Sequence, residues 1–214
     1  MAKEKIRRPQ TLGEEIANTI SHGLGAVLAV AGGIPLIVKA AQLGDGKAVA
    51  GMVLYVASLV GLYTASAVYH GVQNPDLKQR LRVLDHCSIF LLILGTYIPL
   101  ALLALGGTLG WVLIGINTAL AVLGIILDVI DLNRFSKVTL VLYAAMGWLI
   151  IPALRTVIQV LPAAGVALLA SGGVAYTAGI LFYKSKKYYM HFVWHLFVLA
   201  GSVLQYFCVL LYCL

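Results

Sequence analysis

Two histidines four residues apart, in His191-Phe-Val-Trp-His195, stand at the head of an apolar segment. On a helix that spacing puts both imidazoles on one face, one turn apart, where they can close on one metal ion. Ser66 and His70 repeat the spacing in an earlier apolar segment, so His70 offers a third imidazole. Three protein nitrogens with an open fourth position make a catalytic zinc site. Cobalt and nickel accept the same nitrogens, and zinc is expected on chemistry and frequency together. Asp85 could accept a hydrogen bond from a zinc-coordinated water or take its proton, and Ser66 could donate to that oxygen or to a substrate carbonyl. The bland alternative is a set of histidines hydrogen-bonded to neighbouring helices; against it, histidine in hydrocarbon is costly and points to function.

The elements that must position these groups are membrane helices. Of 214 residues 61% are hydrophobic and 11% charged, with a mean hydropathy of +0.97, which excludes an ordinary soluble domain. The apolar blocks each approach the ~20 residues that cross a ~30 Å hydrocarbon core. They predict an all-α protein with seven spans at about 15–41, 48–71, 82–105, 109–130, 137–154, 162–183 and 188–212. Residues 1–10 read as a short basic tail and 11–214 as one seven-helix membrane domain. The first apolar stretch is too long for the core of a signal peptide, and Thr11-Leu-Gly-Glu14 reads as a capping box opening the first helix.

A formal charge of +7 raises the idea of a nucleic-acid partner, but the placement of the charge argues against it. Lys3, Lys5, Arg7 and Arg8 precede the first span. Lys78, Arg80 and Arg82, then Arg134 and Lys137, then Lys184, Lys186 and Lys187 fall in alternate connections. Twelve of the fifteen basic residues thus lie on one side, the positive-inside pattern. The N-terminus is expected in the cytoplasm, the C-terminus outside, and the protein in the inner (plasma) membrane. Folded in this sense, His22, His70, His86, His191 and His195 share the cytoplasmic half of the bilayer, on four helices, with Asp85 and Ser66 at the same level.

Several motifs in order, Glu15-x-x-Asn18-x-x-x-His22, Ser66-x-x-x-His70, Asp85-His86-x-Ser88-Ile-Phe and His191-x-x-x-His195, resemble those of the hemolysin III-like proteins. These are the bacterial branch of the progestin and adipoQ receptor family, and the likeness runs from about residue 11 to 210. The resemblance implies a seven-helix fold with the N-terminus inside and a zinc ion near the cytoplasmic face. It assigns His70, His191 and His195 as ligands, with Asp85 and Ser66 close to the water on the metal. The wider superfamily includes membrane ceramidases. His86 directly after Asp85 is typical of the hemolysin-like branch, and only about ten residues precede the first helix where the receptor branch carries a longer domain. A soluble protein-hormone ligand is therefore not expected.

Around the three ligands, His22 is read as a supporting group with Glu15 and Asn18, because a fourth protein ligand would close the open position. His86 points about 100° away from Asp85 on a helix and is either structural or a relay. Asp128 and Asp131 end the fourth span and are expected to pair with Arg134 or Lys137, or to line a wet entrance. Tyr183, Tyr188, Tyr189, Trp194, Trp111 and Trp148 suit an interfacial belt. Cys87, Cys208 and Cys213 are expected as small buried hydrophobes. The function these readings support is zinc-dependent hydrolysis of a lipid amide or ester, ceramidase-like, at the cytoplasmic leaflet, with Asp85 and Ser66 as catalytic groups and lipid as both partner and substrate. The alternative is a pore-forming, cytolytic or membrane-signalling protein with a structural zinc. The outward halves of the spans are almost wholly apolar, which weakens a pore.

Overall fold

A computed structural model describes residues 9–214; the basic cluster Lys3 to Arg8 lies outside the described residues. Those described are all-helical. The chain runs through α1 (Leu12–Gln42), α2 (Gly46–Gly71), α3 (Pro75–Pro99, continued by a π turn over Leu100–Leu105), α4 (Gly107–Gly147), α5 (Leu154–Val160), α6 (Ala163–Lys184) and α7 (Met190–Tyr212).

Local chemistry sets most of these ends. The Thr11–Glu14 capping box opens α1 as its sequence pattern predicts. Asn74 caps α3 through its carbonyl oxygen, with Pro75 in the first turn. Gly106 and Gly107, both at positive φ, form the turn before α4.

Six helical stretches among the described residues are long and apolar enough to cross a membrane. The fourth and fifth predicted spans fall inside one of them, Gly107–Val160, which runs for 54 residues. Their predicted boundary coincides with a break: Asp131 leaves the helical region at φ −163°, ψ 93°. Its Oδ1 accepts from the amides of Asn133 and Arg134, so Asp131 caps the next helical half in the way of an N-terminal Asp. The expected ion pairs do not form: among the described residues neither Asp128 nor Asp131 pairs with Arg134 or Lys137, and the basic group nearest in effect to Asp128 is Arg82. Asp128 is buried and accepts from the Tyr143 hydroxyl at 3.3 Å.

Helix α1 packs between α2 and α7, α3 lies against α2 and α4, and α6 lies against α7. Gly124 lets α4 close on α3, because the Phe90 ring occupies the space a Cβ would need. Helix α6 stands opposite the second half of α4, joined to it by the Trp148 indole N–H donating to Thr177 Oγ1 at 3.0 Å. The ring of helices encloses an elongated, mostly apolar cavity of about 150 Å³. Its wall runs from His22, Asp85 and Tyr183 at one end to Tyr97, Trp148 and Gln205 at the other.

Candidate metal centre

Helices α1, α3 and α7 begin, and α2 ends, at the same end of the bundle, which brings together residues scattered over some 180 positions of sequence. His70 lies in the last turn of α2, His191 and His195 in the first turns of α7. One ligand atom from each of these three lies within 4.8 Å of the others. The His70 and His195 rings are fully buried; the His191 ring, half-buried, sits 4.8 Å from His195 and 5.1 Å from His70, centroid to centroid.

Hydrogen bonds decide which nitrogen each ring presents. His70 Nδ1 lies 2.7 Å from Glu15 Oε2. A carboxylate only accepts, so Nδ1 carries the proton and Nε2 keeps its lone pair. His195 Nδ1 lies 3.2 Å from Ser21 Oγ, whose own proton goes to the Asn18 carbonyl at 2.9 Å. The hydroxyl therefore accepts from His195, and Nε2 is again the bare nitrogen. Both Nε2 atoms are buried and without a hydrogen-bond partner. A buried polar atom left in that state costs about 1–3 kcal/mol, and a metal ion relieves the cost for both at once. The donor set fits such an ion: neutral imidazoles, each held at its far nitrogen by a second group.

Helix α1 donates none of the three rings, yet it orients them. Glu15 holds His70, Ser21 holds His195, and the Asn18 amide approaches His70 Nδ1 at 3.4 Å while donating to Gln10 at 2.5 Å. Lys78, in the first turns of α3, was legible in sequence only as part of the basic bias. Its ammonium lies 3.1 Å from Glu15 Oε1 and donates to the carbonyls of Tyr69, His70 and Val72. It thus caps the C-terminal end of α2 and fixes the carboxylate that fixes His70. Ser21 carried no signal beyond one serine in an apolar helix.

His22 lies outside the three-histidine group, stacked on His195 with centroids 3.5 Å apart and planes 9° apart, and edge-on to Tyr63. Both its nitrogens are buried without a hydrogen-bond partner, and it faces the cavity. Asp85 is buried and lines the same cavity, with His70, Ser66 and Arg82 as its neighbours. The Ser66 hydroxyl approaches it but falls short of a full hydrogen bond. His86 lies outside the three-histidine group, in keeping with its 100° offset from Asp85; its backbone carbonyl accepts from the Tyr143 hydroxyl at 2.9 Å. Ser88 spends its hydroxyl on the Asp85 carbonyl. Tyr183 and Trp194, expected in an interfacial belt, pack on His191 and line the cavity.

A family model described as haemolysin-III related matches residues 10–206. The chain belongs to the haemolysin-III related family. It is 41% identical to "Hemolysin-3" of Bacillus cereus over 100% of this chain and 98% of that one. It is 39% identical to "Hemolysin-3 homolog" of Bacillus subtilis (strain 168) over 95% and 96%. The human "Monocyte to macrophage differentiation factor" is similar at 29% over 73% of this chain and 67% of its own. This links the hemolysin-like branch to the wider progestin and adipoQ receptor family. Membership and the set of long apolar helices together make this a multi-pass membrane protein whose three-histidine cluster is able to bind a metal.

Proposed function

We propose that the protein is a zinc-dependent hydrolase of a membrane lipid amide or ester. What carries the reading is one juxtaposition: buried Asp85, at the head of an apolar cavity, neighbours His70, whose bare Nε2 belongs to the three-histidine cluster. Zinc held by His70, His191 and His195 would supply a Lewis acid that acidifies a water and polarises an acyl carbonyl. The chain's own residues do the rest. Asp85 takes a proton from the attacking water and returns one to the leaving nitrogen or oxygen as the acyl bond breaks. Ser66 orients that water or the carbonyl through its hydroxyl. Glu15, Asn18, His22 and Ser21 keep the imidazoles in register. The apolar wall excludes bulk water and suits an acyl chain, and the sparse contact between α4 and α6 offers a lipid sideways entry from the bilayer. In this reading neither a nucleic acid nor a soluble hormone is called for as partner.

The same reading takes Asp131 as the hinge between two crossings. The protein then has seven spans in one domain, with the N-terminus in the cytoplasm, the C-terminus outside, and the site at the inner leaflet of the plasma membrane. A reporter fused after Leu214 is expected to be active only outside the cytoplasm, and one inserted near Lys186 only inside. A cytoplasmic C-terminus overturns the crossing count.

The catalytic test presents the purified protein in bilayers with ceramide-like amides and phospholipid esters and follows released fatty acid. Asp85→Asn should keep the metal and lose about 10²–10⁴ in turnover, the usual cost of a missing general base. Ser66→Ala should lose less. No release above a metal-stripped control by the wild-type protein, on either substrate class, overturns the hydrolase reading and leaves the cluster as a structural clamp between α2 and α7.

A further inference from the structure

Helix α7 begins in an unusual way. Its N-cap, Tyr189, is left-handed at φ 60°, ψ 4°, and no side chain caps the helix from that position. It is the one non-glycine residue at positive φ among the described residues. A bulky side chain persists in that region only where its surroundings enforce it.

The enforcing group comes from the far end of the sequence. The Tyr189 amide donates to Glu14 Oε1 at 2.7 Å. The other carboxylate oxygen, Oε2, accepts from the Thr11 amide at 2.9 Å and the Thr11 hydroxyl at 3.1 Å. One carboxylate therefore closes its own capping box and seizes the start of α7. Glu14 is 2% exposed, so the bond is sheltered from water. Residue 13 is fitted to the same contact: a Cβ on Gly13 would lie 2.8 Å from the Tyr189 hydroxyl oxygen.

The consequence falls on His191. The Tyr189 carbonyl accepts from the Val193 amide and so starts the helix, with His191 two residues along in its first turn. His195, one turn further, has independent anchors in Ser21 and in the His22 stack. The direction in which α7 sets out is thus felt first by His191.

We propose that Glu14 is a positioning residue for the metal centre: by holding Tyr189 left-handed it sets the phase of the first turn of α7 and with it the aim of His191. This rests on the reading of His70, His191 and His195 as ligands. It also completes a pattern in which α1 governs each ring from a different residue, Glu15 for His70, Ser21 for His195 and Glu14 for His191.

The test uses the full-length protein in detergent, stripped and titrated with cobalt(II), with zinc competition for affinity. Hydrogen exchange over residues 187–192 is followed in the same samples. Glu14→Ala should weaken cobalt binding about tenfold or more, the range for a lost supporting contact, alter the cobalt spectrum, and speed exchange at Tyr189 to His191. Glu14→Gln, whose amide oxygen still accepts from the Tyr189 N–H, should retain most of the affinity. Tyr189→Gly in the Glu14→Ala background should recover part of it, because glycine takes positive φ without strain. Thr11→Ala removes the cap hydroxyl, which donates to Glu14 Oε2 and accepts from the Glu14 amide, but keeps the Glu14–Tyr189 bond and should leave affinity and exchange at wild-type values.

Wild-type affinity and exchange in Glu14→Ala overturn the proposal. So does a Thr11→Ala protein as weakened as Glu14→Ala, which would make the effect one of capping α1 alone. A wild-type protein that takes up neither cobalt nor zinc sinks the metal reading itself. Unchanged protection of residues 187–192 in Glu14→Ala would then separately sink the clamp.

Discussion

The cavity has two walls of different construction. One is made by α1, α2, α3 and α7. They share a continuous core that includes Leu36, Ala40, Met52, Tyr55, Tyr63, Leu92 and Val198, and at the histidine end they are laced by Glu15, Lys78, Asn18 and Ser21. The other runs from Asp131 to Lys184. It contains a helix broken at Asp131, a turn of 3₁₀ helix over Ile151–Ala153, the seven-residue α5, and α6, whose buried positions are Gly165, Gly172 and Gly179. Those glycines let α6 lie close on α7, but little ties α6 to α4 beyond Trp148 and Thr177. Under the proposed function the difference separates two tasks: the first wall would hold the ligands in fixed geometry, and the second would bound the space for a lipid.

The largest break in that comparison comes from the rings themselves. His70→Ala with His195→Ala should abolish stoichiometric zinc by elemental analysis. It should also lower the melting temperature measured with zinc present, because metal binding adds to the stability of the folded state only. Full occupancy in the double variant would remove both residues from the ligand set. The next effect is on the lacing. Glu15→Ala and Lys78→Met should each keep the fold and weaken zinc by about 10–100-fold in competition titrations, Glu15 the more strongly, since it touches His70 directly. Equal and negligible effects would mean the imidazoles hold their orientation unaided.

The smallest effect belongs to the second wall. Thr177→Val deletes two exposed hydrogen bonds, one from the Trp148 indole and one to the Gly173 carbonyl, and should cost about 1–2 kcal/mol or less in thermal unfolding. Zinc affinity should stay at the wild-type value. A loss of affinity as large as that of Glu15→Ala would show that the walls are coupled and that the division of labour is false.

Much of the ligand-bearing wall was legible in the chain. The i, i+4 pairs Ser66/His70 and His191/His195, and the Glu15, Asn18, His22 stripe, face one way by helical periodicity alone. The basic bias orients the helices, and orientation brings the ends of α2 and α7 to one level. Less was legible where a residue's role depends on a partner distant in sequence. Lys78 looked like one more positive charge, and Ser21 like a neutral residue in an apolar helix. For Tyr183 and Trp194 the place at the cavity was not legible, because an aromatic side chain suits both an interface and the mouth of a cavity. The pairing expected for Asp128 and Asp131 failed for a local reason: Asp131 satisfies two backbone amides at a helix start, and Asp128 meets a tyrosine.

By itself the sequence determined the helical class, the membrane environment, the family, and the residues able to bind a metal, because all of these follow from hydropathy, periodicity and motif order along one chain. Tertiary structure alone decided which nitrogen each imidazole presents and that Glu14 reaches Tyr189. Those outcomes depend on hydrogen bonds between atoms as many as 175 residues apart, and no pattern local to the chain encodes such a distance.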